Sequence, residues 1–462
     1  MLATLTTTAS VGVAQPEPPR TLRIDLFHTG GRGVEIFAVD RVVIEPLPWP
    51  GHPSGNLDPT GWGIYRFEVI DAAGATVYSR GFSSIFAEWE TTAEAAETHR
   101  TFHESLRFPA PEEAVIVVIS RRDARNDLRE VWRTRVDPGD PFVDPSAPPR
   151  LAPLEIEVHG APRDHVDLLL LGDGYTAEEC ADKFPADAQR LATVLFRYEP
   201  FTSRREDFNV WGLCPPAAES GISRPSTGIH RRAPVGTTYD VFGSERYALT
   251  YDNRALRDAA AWAPYELLEI LINEETYGGG GIHNQHATVS VDNDWAEYIF
   301  IHELAHHFAA LADEYYTSPV AYQPPTEVVE PWEPNVTTRP ERGANKWSDL
   351  LDDDVPLPTP WPKEQLEEHA RGIQARRVAI RAENRPESEM SALFREQSRW
   401  ETALFAASEH NASVGAFQGA NYDAQIYYRP QLDCVMFSRN QVPFCAPCQR
   451  ALERVIDLYA PR

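Results

Sequence analysis

Phe300-Ile301-His302-Glu303-Leu304-Ala305-His306-His307-Phe308-Ala309-Ala310-Leu311-Ala312-Asp313-Glu314-Tyr315 is the stretch around which the rest of this chain is organised. It contains His-Glu-x-x-His, with His302 and His306 four residues apart. On a helix, positions i and i+4 lie on one face, so both imidazoles can reach a single ion. Glu303 is one step round from His302, placed to hold a water beside that ion and take its proton. Phe300, Leu304, Phe308 and Leu311 recur at helical spacing and give the segment an apolar face to bury. Two histidines on a helix otherwise patterned for a core point to a zinc site. His307 points about 100° away from His306 round the helix and reads as a hydrogen-bonded bystander rather than a ligand.

A third ligand is needed, and a straight helix cannot supply it. Residue 313 would lie about 10 Å beyond His306 along the axis, too far to share an ion bound at about 2 Å. The helix is therefore expected to end soon after Phe308 and to fold Asp313 back beneath the metal. Asp313 is the expected third ligand, and Glu314, with its longer side chain, is the rival. Whichever is not the ligand is free to orient a histidine.

Upstream of the helix, Ala287–Val291 reads as a strand whose open edge would let an extended peptide add to it. Tyr277-Gly278-Gly279-Gly280-Gly281-Ile282 precedes it, a backbone able to come close to such a peptide; no Lys-Ser/Thr follows, so a phosphate cradle is a poor reading. Arg254 to Glu275 reads as helical, bent at Pro264. Phe208–Trp211 reads as a strand. Val166–Leu171 is a buried strand ended by Gly172-Asp173-Gly174, and Thr176-x-x-Glu179 is a capping box opening a helix. Downstream, residues 315–362 are Pro- and Trp-rich loop, and residues 363–410 read as a solvated helical insertion. Met436, beside Cys434, invites comparison with the methionine turn that underlies the metal in metzincins.

The first 150 residues differ in kind. Leu22–Phe27, Arg41–Pro46, Gly63–Val69 and Ala114–Ile119 alternate as strands between Gly- and Pro-rich turns, which suggests a β-sandwich. His52 and His103 there read as surface residues, and nothing in this part looks catalytic. The expected division is a signal-like stub or disordered tail at 1–20, including a Pro-rich linker at 15–20, a sandwich at 21–140, a linker at 141–150 and a catalytic domain at 151–462. Every candidate catalytic residue follows Pro149, so the sandwich is expected to be dispensable for chemistry on a short peptide.

At 462 residues, with a net charge of −26, the chain is long enough for two or three cores and poorly suited to nucleic acid or anionic membranes. No run of 18 or more apolar residues is present to span a bilayer. Met1–Ala14 is small and mildly apolar, like a signal stub without its basic start. Of five cysteines, Cys434 bridged to Cys445 or Cys448 is the simplest pairing, and it implies an oxidising compartment. Cys445-Ala446-Pro447-Cys448 lacks the βαβ setting of a redox pair, and a second, structural zinc would need a fourth ligand that the sequence does not show.

From about residue 165 to 450 the chain resembles the IgA-peptidase family of zinc metallopeptidases. The residues that carry the likeness are Leu171–Tyr175, Phe242–Tyr247, Tyr277–Ile282, His302-Glu303-x-x-His306 with Asp313-Glu314-Tyr315, Glu333-Pro334-Asn335, Tyr428-Arg429-Pro430 and Cys434 with Cys445-x-x-Cys448. The first part resembles the β-sandwich that often precedes that domain. The resemblance implies an α/β (α+β) metzincin-like zinc peptidase domain behind an all-β sandwich. It implies a secreted, periplasmic or extracellular zinc endopeptidase with a protein or peptide substrate, and immunoglobulin A follows only from the family's name. Metal ligands would be His302, His306 and Asp313, with Glu303 the general base and Tyr428 or Tyr315 the donor to the oxyanion. Three positions depart from the related pattern: Ala305 and Ala309 stand where glycine is common, and Ala312, where metzincins place the third ligand, cannot bind metal. Two rival readings remain: a non-catalytic zinc-containing peptide-binding protein, and a zinc hydrolase of small amides or cell-wall peptides. A structural site needs no general base, so Glu303 speaks against the first.

Overall fold

Alternation of apolar and polar side chains decides the first part of the chain. The computed structural model describes residues 18–317 and 328–461; residues 1–17, which hold the signal-like stub and the first half of the linker at 15–20, lie outside the described residues. One sheet contains β1 (Arg20–Gly31), β2 (Val34–Pro48), β5 (Arg100–Pro109) and β8 (Val143–Asp144); the other contains β3 (Tyr65–Ile70), β4 (Thr76–Phe82), β6 (Val115–Arg122) and β7 (Leu128–Val136). Leu22, Ile24 and Leu26 of β1 meet Tyr65, Phe67 and Val69 of β3 and Val117 and Ile119 of β6 in one core. The period of two in Leu22/Ile24/Leu26, Tyr65/Phe67/Val69 and Val117/Ile119 is what packs two sheets face to face. A short helix, α1 (Ile85–Glu90), caps the end of this unit, with Ser84 accepting from the Ala87 N–H.

The second part is built on a mixed six-stranded sheet. Its strands are β9 (Leu154–Glu157), β10 (Val166–Asp173), β11 (Phe208–Leu213), β14 (Leu267–Ile272), β15 (Gly279–Ile282) and β16 (His286–Ser290), in the order β15-β16-β14-β10-β11-β9. The four inner strands are parallel and the two edges antiparallel. β10 is buried at all eight positions, as a central parallel strand covered on both faces must be. Leu168 and Leu170 pack with the helices α2 (Ala177–Leu195), α4 (Ala296–Ala309) and α7 (Ala446–Tyr459); Leu169 and Leu171 pack on the opposite face with α3 (Asn253–Ala260). The capping box forms: Thr176 Oγ1 accepts from the Glu179 N–H at 3.3 Å, and Glu179 Oε2 accepts from the Thr176 N–H at 2.8 Å. A two-stranded ladder, β12 (Thr237–Thr238) with β13 (Leu249–Thr250), flanks the sheet, and a hairpin of β17 (Phe417–Ala420) and β18 (Asp423–Arg429) follows two long helices, α5 (Lys363–Ala382) and α6 (Glu387–Ala406).

Three local expectations are corrected. Residues 254–275 do not form one bent helix: α3 ends at Ala260 and β14 begins at Leu267. Leu267, Leu268, Ile270, Leu271 and Ile272 form a short apolar run, and periodicity cannot separate a fully buried strand from a helix over that length. Next, α5 and α6 are more than a solvated insertion, because Leu366, Ile373, Met390, Leu393 and Phe394 enter the main core. Finally, β16 has no open edge. It lies between β14 and β15, and the glycine strand β15 is the edge of the sheet. Among the described residues no helix is long and apolar enough to cross a membrane.

Candidate metal centre and active-site cleft

The site is assembled where α4 ends. Ala310 adopts a left-handed φ of 54°, and its N–H still bonds the His306 carbonyl at 3.2 Å. That single residue turns the chain back under the helix, as the reach of Asp313 required. Asn335 then clamps the returning backbone, its Nδ2 donating to the Ala312 carbonyl at 2.9 Å and its Oδ1 accepting from the Ala312 N–H at 2.8 Å. On the other side the Glu314 N–H donates to the Met436 carbonyl at 2.9 Å. Asp313 is thus held between two backbone clamps.

The three side chains converge. His302 Nε2 lies 2.9 Å from Asp313 Oδ1, His306 Nε2 lies 3.3 Å from the same oxygen, and the two Nε2 atoms are 3.2 Å apart. Both Nδ1 atoms face backbone carbonyls, of Val435 at 3.1 Å for His302 and of Leu311 for His306. A ring whose Nδ1–H donates to a carbonyl presents Nε2 as a free lone pair, which is the tautomer a metal needs. Tyr422 donates its hydroxyl to Asp313 Oδ2. Burial opposes ionisation of Asp313, yet the two imidazoles hold its carboxyl well below the usual carboxylate range; Asp313 in turn lifts His306, against burial, to about 9, and a cation bound at Nε2 would take the place of that proton. A dense negative focus next to two imidazole nitrogens fits a divalent cation.

Glu303 lines the same cleft, of about 370 Å³, and desolvation there pushes its carboxyl above the ordinary glutamate range. The glycines of β15 explain how a strand comes so close. A Cβ on Gly281 would sit 2.4 Å from the Glu303 carbonyl oxygen and 2.9 Å from His306 Cβ, and one on Gly279 would sit 2.6 Å from Ile299. Side chains at either position would lift the helix off the sheet. Gly279 uses its outward N–H and C=O on Arg246 and Ala248. By the parity of an antiparallel strand, those of Gly281 also face outward, at the cleft.

The structure separates the two acidic neighbours: Asp313 meets the histidines, whereas Glu314 turns away toward Cys445 and Cys448. His307 is buried, accepting from the Leu268 N–H at 3.1 Å and donating to the Ile282 carbonyl at 3.1 Å. Of the two tyrosines considered for the oxyanion, Tyr315 lines the cleft; Tyr428 instead pairs its backbone with Thr337. Three residues at the site escaped sequence reasoning: Tyr422, Asn335 in its clamping role, and Glu88. Glu88 comes from α1 of the first unit, accepts from the Tyr247 hydroxyl, and is pushed up to about 7 by desolvation in the cleft wall. His103 is half-buried against Asp40 and Asn253 rather than free at the surface.

The expected bridge from Cys434 to Cys445 or Cys448 is not formed. The disulfide joins Cys180 to Cys214, and the other three cysteines are free and buried. The crossover from β10 through α2 to β11 brings those two together across 34 residues, a juxtaposition that spacing along the chain does not reveal.

A family model described as IgA Peptidase M64 matches residues 154–456, and one described as Peptidase M64 N-terminus matches residues 15–133. No curated protein matches the chain.

Proposed function

The chain belongs to the IgA peptidase M64 family, and from that premise we propose that it is a secreted zinc-dependent endopeptidase acting on a protein or peptide substrate. The observation that carries the metal assignment is the convergence of His302 Nε2, His306 Nε2 and Asp313 Oδ1 within 3.3 Å, with both Nδ1 atoms tied to carbonyls. Zinc held by these three residues would polarise the scissile carbonyl and lower the pKa of water to about 7. Glu303 takes the proton from that water and passes it to the leaving amine. Its desolvated position makes it a stronger base than an exposed glutamate, closer to the working pH. Tyr315 is the candidate donor to the oxyanion. The substrate is an extended segment lying along β15, where the outward N–H and C=O of Gly281 meet its backbone. The Cys180–Cys214 disulfide supports a location outside the reducing cytoplasm.

Glu303→Gln tests the base separately from the metal. The variant should keep its catalytic zinc and lose proteolysis of an unstructured protein by at least about a hundredfold. A chelator should abolish wild-type cleavage, and zinc should restore it. Near wild-type turnover by Glu303→Gln would remove Glu303 from the mechanism, and chelator-resistant cleavage would remove the metal.

A further inference from the structure

We propose that Cys434, Cys445, Cys448 and Glu314 form a second, structural site for a thiophilic divalent cation, zinc by its chemistry. One ligand atom from each of these residues lies within 4.8 Å of the others, and all four residues are buried. The sequence supplied three thiols from the C-terminal region and no fourth ligand; the fold delivers it from Glu314, more than a hundred residues upstream.

The spacing fits tetrahedral coordination. Zinc–sulfur bonds of about 2.3 Å and zinc–oxygen bonds of about 2.0–2.2 Å give sulfur–oxygen edges of about 3.5 Å. Cys448 Sγ and Cys445 Sγ stand 3.2 and 3.6 Å from Glu314 Oε1. Cys434 Sγ receives two backbone N–H groups, from Cys445 at 3.3 Å and Met436 at 3.5 Å, an arrangement suited to a thiolate. Cys445 and Cys448 also sit at the N-terminus of the 14-residue helix α7, whose dipole favours sulfur as an anion. The carboxylate supplies independent support. Glu314 Oε1 accepts from Asn335 Nδ2 at 3.0 Å, but buried Oε2 meets no hydrogen-bonding partner among the described residues. A buried carboxylate with one oxygen in that state is strongly disfavoured unless a cation, bound at Oε1 beside the sulfurs or shared by both oxygens, neutralises it. A disulfide between any two of the thiols would leave the third thiol and the carboxylate unexplained. A metal uses all four.

The site would clamp the catalytic one. Glu314 follows Asp313 directly, and its N–H bonds the Met436 carbonyl. Val435, between Cys434 and Met436, holds His302 Nδ1. A cation joining Glu314 to Cys434 and to the start of α7 therefore fixes both segments that orient the histidine–aspartate cluster.

The inference stands apart from the proposed peptidase chemistry, and sulfur is what distinguishes the two sites. Full-length protein purified with zinc should contain two zinc ions per chain. Its X-ray absorption spectrum should show a zinc–sulfur shell at about 2.3 Å beside the nitrogen and oxygen ligands. A variant carrying both His302→Ala and His306→Ala should retain one zinc with the sulfur shell intact. An inactive protein with an empty histidine site would leave that shell untouched. Wild-type protein with a shell of nitrogen and oxygen alone, or peptide mapping that finds a disulfide among the three cysteines, would overturn the proposal.

Discussion

Tyr422 has a φ of 61°, directly after Asn421 at 47°, in the two-residue turn between β17 and β18. Such a turn is ordinarily made with glycine at its second position, and a bulky residue there costs about 1 kcal/mol or more. The compensation is visible in the side chain, since the Tyr422 hydroxyl reaches Asp313 Oδ2. Its backbone N–H also bonds the Tyr315 carbonyl at 3.1 Å, so the turn is pinned to the segment that carries the aspartate. On the proposed reading, Tyr422 acts through Asp313 as a positioning residue. Tyr422→Phe should leave the fold intact and weaken zinc at the histidine–aspartate cluster by about 10–100-fold, read by competition with a chromophoric chelator. Unchanged affinity would reduce the tyrosine to turn chemistry. The contrast with His302, Glu303 and His306 marks what a sequence discloses at this scale. The two histidines are legible because a helix converts a spacing of four into a shared face, and Glu303 because it adjoins His302. Tyr422 and Asn335 act across distances along the chain that no local periodicity encodes.

The end of α4 is legible from reach alone: the expectation of a ligand at 313 requires a break near 309, and α4 ends at Ala309 with Ala310 in the left-handed region. Glycine is the residue that adopts this conformation without a Cβ penalty. Ala310→Gly should therefore raise stability by about 0.5–1 kcal/mol in denaturant unfolding, with metal content unchanged. Destabilisation would mean that the Ala310 methyl, which is buried, contributes more by packing than it costs in strain. The sheet was less legible. β10 is readable because Gly-Asp-Gly and a capping box punctuate it, whereas β14 lacks such marks between Pro264 and the glycines, so its apolar run reads as a continuation of the helix before it. The glycine run itself announced a close approach. Only the fold shows that its partners are the Glu303 backbone and His306 as well as the cleft.

Every candidate for the chemistry follows Pro149, which on sequence alone makes the first unit an accessory, but the packing between the two units argues otherwise. Arg23, 1% exposed, bonds Asp25 and Glu45 within its own sheet and Asp258 of α3 at 2.6 Å. Arg107 donates to the Tyr265 carbonyl at 3.1 Å and lies 3.7 Å over that ring. Arg80 is buried between the rings of Tyr78 and Tyr459, the latter in α7. Ile85, Phe86 and Trp89 of α1 share a core with Val241, Leu249 and Ile282 of the second unit, and Glu88 reaches the cleft wall. Cutting at residue 150 would expose those apolar side chains and strip Asp258 of two arginine partners. Ile282 closes the glycine edge strand, so the loss would be felt within a few residues of Glu303. The intact chain should then unfold in one calorimetric transition despite its two units, because neither unit keeps its interface alone. Residues 151–462 expressed alone should aggregate or show no activity on a short peptide that the full chain cleaves. Two well-separated transitions, together with an active fragment, would return the first unit to the role its sequence suggested.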